Sequence, residues 1–183
     1  MKKATLSKKL IILDRDGCVN IPSNKFKYVH HEKDFVLYDD VVPFILLGLS
    51  KGFKFAIATN QQGVAMNLYQ MKDVLNLHKL FLTKINSFSV DIPIFVCPHI
   101  KGTCDCRKPK AGLLYSALEY HGVYSDEALF IGDSSNDAYA ANEAKIDFVF
   151  LNRKNLNAED VFQAHPVATI QSLLEFQNWT NPK

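Results

Sequence analysis

With 183 residues, 48% of them hydrophobic, the chain can bury one substantial core and is short for two, so 1–183 reads as a single domain. A formal net charge of +2 removes any global electrostatic case for a nucleic-acid partner. No apolar run approaches the ~20 residues of a membrane span, and the basic start at Lys2, Lys3, Lys8 and Lys9 lacks the apolar segment of a signal peptide; no membrane association is expected, and a cytoplasmic location is.

The apolar run 10–13 reads as a buried parallel strand that stops at two carboxylates, Asp14 and Asp16, followed by Gly17. In an extended backbone those two side chains share a side, at the carboxyl end where open α/β sheets bind ligands. Carboxylates this close repel unless a cation lies between them or one stays protonated. For the motif taken alone, an Asp-rich turn with capping side chains is the plainer alternative. Residues 21–35 are polar, aromatic and irregular, long enough to form a flap over a site. Within them Lys25, Lys27 and His30 either meet an anionic substrate or are solvated surface. Asp39 and Asp40 then precede a helical apolar pattern beginning at Val41 and stopping at Lys51 and Gly52.

A strand over 53–58 runs into Thr59, Asn60, Gln61, Gln62 and Gly63. A hydroxyl at the end of a buried strand, followed by amides and glycine, suits a phosphate, with Asn60, Gln61 and Gln62 as substrate-binding candidates. Helical spacing covers 69–88, its aromatics assigned to the core. A strand over 92–96 delivers Cys97, His99, Cys104 and Cys106, three thiols and an imidazole in ten residues. That is a ligand set for a closed, structural tetrahedral Zn²⁺ site. Free thiols beside a chance histidine are the alternative. Arg107 and Lys108 follow at once, cations able to neutralise a nucleophile and a phosphate. A helix over 111–121 and a strand over 128–131 lead to Gly132-Asp133-Ser134-Ser135-Asn136-Asp137, again acids after a buried strand. A helix over 138–144, a strand over 147–151, a polar connection, a strand at Val167 and Ala168 and a helix over 170–176 complete the α/β alternation.

Four stretches together resemble the motifs of the haloacid-dehalogenase (HAD) superfamily of phosphatases: Asp14-Arg15-Asp16-Gly17 with Asn20, Thr59 with its amides, Lys108, and Gly132-Asp133 with Asp137. The resemblance implies an α/β, Rossmann-like HAD fold, a mostly parallel sheet with helices on both faces, no cap domain, and a zinc-binding loop. It implies that Asp14 is the nucleophile and Asp16 the general acid/base, that Thr59 and Lys108 hold the phosphate, and that Asp14, the Asp16 carbonyl and Asp133 hold Mg²⁺. Asp137 is then an orienter of that site or a helix-start residue. The zinc block with Arg107 and Lys108 looks like the subgroup acting on heptose 1,7-bisphosphate or histidinol phosphate. The stretches at 28–30, 59–65 and 111–114 are similar to the heptose pattern, and the four residues between His99 and Cys104 are similar to the histidinol one. Met66, Ala111 and Ser134 depart from those patterns. Arg107 stands where the remote part of the substrate is recognised. The expected substrate is a small phosphorylated sugar or amino-alcohol, and the expected state a monomer. A non-catalytic module that binds a phosphorylated ligand is the alternative class, and the intact Asp14, Asp16, Thr59, Lys108 and Asp133 argue against it.

Overall fold

The computed structural model describes residues 8–23, 28–85, 90–155 and 158–178. Six strands form one sheet in the order β3-β2-β1-β4-β5-β6, and all five pairings are parallel. They are β1 (Leu10–Leu13), β2 (Lys54–Asn60), β3 (Ile94–Cys97), β4 (Ala128–Gly132), β5 (Asp147–Leu151) and β6 (Ala168–Ile170). The helices are α1 (Val41–Ser50), α2 (Met71–Lys84), α3 (Gly112–His121), α4 (Ser135–Ala144) and the short α5 (Glu159–Phe162). No helix is long and apolar enough to cross a membrane among the described residues.

Alternation along the strands divides the core in two. Ile11 and Leu13, with Phe55, Ile57, Leu129 and Ile131, face one layer that takes Phe44 and Ile45 of α1 and Leu77 and Phe81 of α2. Leu10 and Ile12, with Ala56, Ala58 and Phe130, face the other, where α3 contributes Leu114 and Leu118 and α4 contributes Ala138, Ala141 and Ala144. The strands are apolar throughout because both faces of the sheet are covered. The chain leaves β1 toward β2 and β3, then returns to place β4 against the other edge of β1. That reversal opens a crevice at the carboxyl ends of β1 and β4, where Asp14 and Asp133 follow. Between β2 and β3 stands α2 alone, with no inserted domain among the described residues.

Several boundaries differ from the expected ones. β2 continues through Thr59 and Asn60, which pair with Val96 and Cys97. α2 begins at Met71 because the Gln70 N–H donates to the Asp73 carboxylate (2.8 Å), which leaves Tyr69 outside the helix; Phe88 lies outside the described residues. α4 starts early, capped by Ser134. The expected helix over 170–176 is replaced. Ile170 is drawn into the sheet beside Leu151, and a 3-10 turn, Leu173–Asn178, follows. The Glu175 carboxylate holds that turn by accepting the N–H groups of Gln171 and Ser172. The polar connection before β6 contains α5. Asp40 makes no cap to α1; its carboxylate accepts both guanidinium nitrogens of Arg153 at 2.8 Å, the Ser172 hydroxyl and the Leu173 N–H. In the flap, Lys25 and Lys27 lie outside the described residues. His30 stacks on Tyr69, with ring centroids 5.1 Å apart.

Candidate active site

Asp14 leaves β1 still tied to the sheet, its N–H donating to the Ile131 carbonyl (2.9 Å), and its side chain is buried. The backbone turns away at Gly17, where φ is +95° and a Cβ would lie 1.9 Å from Asp133 Oδ2. Only glycine lets the β1 and β4 loops approach this closely. Lys108 enters from the loop that follows β3, only 3% exposed. Its ammonium has three acceptors: Asp14 Oδ1 at 2.5 Å, Asp137 Oδ1 at 2.6 Å and the Ala58 carbonyl at 2.9 Å. Burial works to discharge Lys108, but Asp137 and Asp14 outweigh it and hold the ammonium charged. Asn60 fixes the Lys108 backbone from both sides, donating to its carbonyl (2.9 Å) and accepting its N–H (3.1 Å).

The Lys108 ammonium sits among three clustered acids. Oxygens of Asp14, Asp133 and Asp137 lie within 4.8 Å of one another. Burial and the neighbouring Asp137 push Asp133 up to about 7, with Lys108 opposing. Burial likewise raises Asp14, against the pull of Lys108. Hard carboxylate oxygens in such excess fit a divalent cation such as Mg²⁺. Asp16 is outside that cluster. Arg15 Nε and Gln61 Nε2 donate to its Oδ2 (3.1 and 2.8 Å), while Arg15 Nη2 and Asn20 Nδ2 donate to its Oδ1 (both 3.0 Å).

These groups line a polar cavity of about 220 Å³, with Asp14, Asp16, Thr59 and Lys108 joined by Arg107, Asp133 and Asn136. Arg107 carries a buried Nη1 with no hydrogen-bond partner. Gln61 and Gln62 lie off the cavity. Gln61 is buried beneath it, and Gln62 Nε2 donates to the Tyr28 hydroxyl (2.8 Å). Asp137 is nearer the chemistry than the sequence suggested. It both caps α4 with Ser134 and grips Lys108. The sequence offered Gln61 as a substrate-binding amide and gave no sign that it lies beneath the cavity or that Tyr69, which looked like the first turn of a helix, donates to it.

Beside the cavity, the ligand atoms of Cys97, His99, Cys104 and Cys106 also lie within 4.8 Å of one another. Their Sγ–Sγ separations are 3.2, 3.2 and 3.5 Å, and His99 Nδ1 is 3.5 Å from Cys106 Sγ. Tetrahedral thiolates around a zinc ion stand roughly 3.8 Å apart, so the cluster is slightly contracted but arranged for one. The clustered thiols differ in how readily they ionise. Burial and the other two thiols push Cys106 up to about 12, while hydrogen bonds led by Cys106 outweigh desolvation and bring Cys104 down to about 7.

A doubly wound parallel sheet whose strand ends converge two carboxylates one residue apart, a hydroxyl, a buried ammonium and a further acidic pair is the arrangement of a HAD-like phosphatase. The family described as polynucleotide kinase 3 phosphatase matches residues 9–166, and the chain belongs to this family of HAD-like phosphatases. It is 34% identical to the D-glycero-alpha-D-manno-heptose-1,7-bisphosphate 7-phosphatase of Campylobacter jejuni, over 85% of this chain and 88% of that one. It is 32% identical to the beta-anomer enzyme of Photorhabdus laumondii, over 81% and 84%. Among solved structures, the D,D-heptose 1,7-bisphosphate phosphatase of B. bronchiseptica, complexed with magnesium and phosphate, superposes with a TM-score of 0.78 at 26% identity, covering 90% of this chain and 93% of that one.

Proposed function

We propose that this chain is a Mg²⁺-dependent phosphatase that removes the 7-phosphate of D-glycero-D-manno-heptose 1,7-bisphosphate through an aspartyl-phosphate on Asp14. The observation that carries the reading is the buried Lys108 ammonium 2.5 Å from Asp14 in a polar cavity. It pairs a nucleophile with a cation that can also take a phosphoryl oxygen. The relatives, named for this substrate, supply the sugar.

Asp14 attacks phosphorus in line. As its bond to phosphorus forms, the ester P–O bond breaks, and the departing alkoxide takes a proton from Asp16. Asp16, now ionised, draws a proton from a water that attacks the aspartyl-phosphate, releasing inorganic phosphate and restoring Asp14. Thr59 and Lys108 bind the phosphoryl oxygens throughout. Mg²⁺, held by Asp14, the Asp16 carbonyl and Asp133, supplies charge neutralisation of the phosphate. The unpartnered Arg107 nitrogen suits the second phosphate, which a guanidinium can grip bidentately. Cys97, His99, Cys104 and Cys106 hold a structural Zn²⁺ that folds the loop presenting Arg107 and Lys108.

The test is Mg²⁺-dependent phosphate release from both anomers of the heptose bisphosphate, from histidinol phosphate and from a 3′-phosphorylated oligonucleotide, compared as kcat/KM. Histidinol phosphate is included because four residues separate His99 from Cys104, and the oligonucleotide because the family description names that chemistry. A preference for one bisphosphate anomer of about 100-fold, or about 2.7 kcal/mol, is expected. Preference for another arm reassigns the substrate.

A further inference from the structure

Gln61 is a buried amide with three of its four hydrogen-bonding capacities engaged: both donors and one oxygen lone pair. Its Nε2 donates to Asp16 Oδ2 and to Thr59 Oγ1, each at 2.8 Å, and its Oε1 accepts the Tyr69 hydroxyl at 2.7 Å. An amide can be turned over with little change of shape, and the turned form would set its carbonyl oxygen against the Asp16 carboxylate. Tyr69 prevents this. Its hydroxyl donates to Gln61 Oε1, the atom that the turned amide would replace with a second donor. The ring is fixed by contact with Gly63, where a Cβ would lie 2.2 Å from Tyr69 Cε1, and by stacking on His30.

The orientation has two consequences. Thr59 Oγ1 accepts from Gln61, so its own O–H is free to donate to a phosphoryl oxygen. Asp16 receives four donors, two on each oxygen, which fixes the plane of its carboxylate. Of those donors, Gln61 alone also touches the phosphate-binding hydroxyl.

We infer that Gln61, locked in one orientation by Tyr69, is a positioning residue that sets the general acid Asp16 and the phosphate-binding Thr59 by one and the same amide. The inference rests on the roles proposed above for Asp16 and Thr59. Loss of the lock leaves Asp14 in place and misdirects the proton given to the leaving oxygen. The loss therefore falls most heavily on esters whose alkoxide needs that proton.

The experiment compares kcat/KM for heptose 1,7-bisphosphate, an alkyl ester, with kcat/KM for p-nitrophenyl phosphate, whose aryloxide leaves without one. Two variants are used: Tyr69→Phe, which removes only the hydroxyl, and Gly63→Ala, which displaces the ring by contact. In each, the alkyl-to-aryl ratio is expected to fall by about tenfold, with a near-native circular dichroism spectrum. A ratio within about twofold of wild type in a folded Tyr69→Phe protein overturns the positioning role. A wild-type protein that hydrolyses neither ester overturns instead the phosphatase reading beneath it.

Discussion

Around the cavity three carboxylates share one ammonium, and this imbalance sets how the metal-free protein responds to pH. Asp133 stands at about 7 in the folded protein, against an ordinary 3.8. Between those values the folded state keeps a proton that the unfolded state has released, so this group's contribution to stability falls as pH rises through the window and is constant above it. Asp14, raised by burial, acts in the same direction. His78 and His121, lowered by burial, act oppositely up to their ordinary 6.5, so the readable quantity is a difference between two proteins. In chelator-treated samples, Asp133→Asn is expected to melt at a higher temperature than wild type, by a margin that widens from about pH 5 to about pH 7.5. Mg²⁺ should close that margin by stabilising wild type alone. A margin that narrows with pH contradicts the crowding. At this scale the sequence was legible where a strand end aims the side chain, as with Asp14 and Asp133. It marked Gln61 only as one of three substrate-binding amides, because a run of polar residues after β2 has no periodicity to show which one turns under the cavity.

The loop that gathers Cys97, His99, Cys104 and Cys106 is the element most completely written in the sequence, since four soft donors within ten residues fold into one cluster. Lys108 follows Cys106 by two residues and is clamped by Asn60, so loop geometry and the buried ammonium are mechanically linked. Protein purified without chelator should carry about one zinc per chain, and Cys106→Ser should lower both Tm and kcat/KM. A zinc-free preparation with unchanged Tm removes the structural role. Short elements were the illegible ones. α5 has four residues and the last 3-10 turn six, too few for a periodic signal, and Ile170 was claimed by the sheet through its pairing with Leu151. Asp40 looked like a helix-start acid and instead ties α1 to Arg153 and the final turn, a long-range pairing that local pattern cannot reveal.

Taken whole, the fold follows from one arrangement: an apolar sheet covered on both faces, whose strand order brings the polar carboxyl ends of β1, β2 and β4 together. β1 and β4 contribute the acids, β2 the hydroxyl, and the connection after β3 the ammonium. The repeated pattern of buried strand followed by polar residues made that architecture readable, while the closeness of the groups, such as the 2.5 Å from Lys108 to Asp14, came from packing alone. The central claim is that Asp14 carries the phosphoryl group. It is tested most directly by mixing Asp16→Asn protein with p-nitrophenyl phosphate and Mg²⁺, quenching in acid and mapping the phosphoryl group by mass spectrometry. Without the base that activates water, the intermediate should accumulate, giving a burst of nitrophenol and one phosphoryl group on the peptide containing Asp14. A phosphoryl group on any other residue, or a burst that survives Asp14→Asn, contradicts the account.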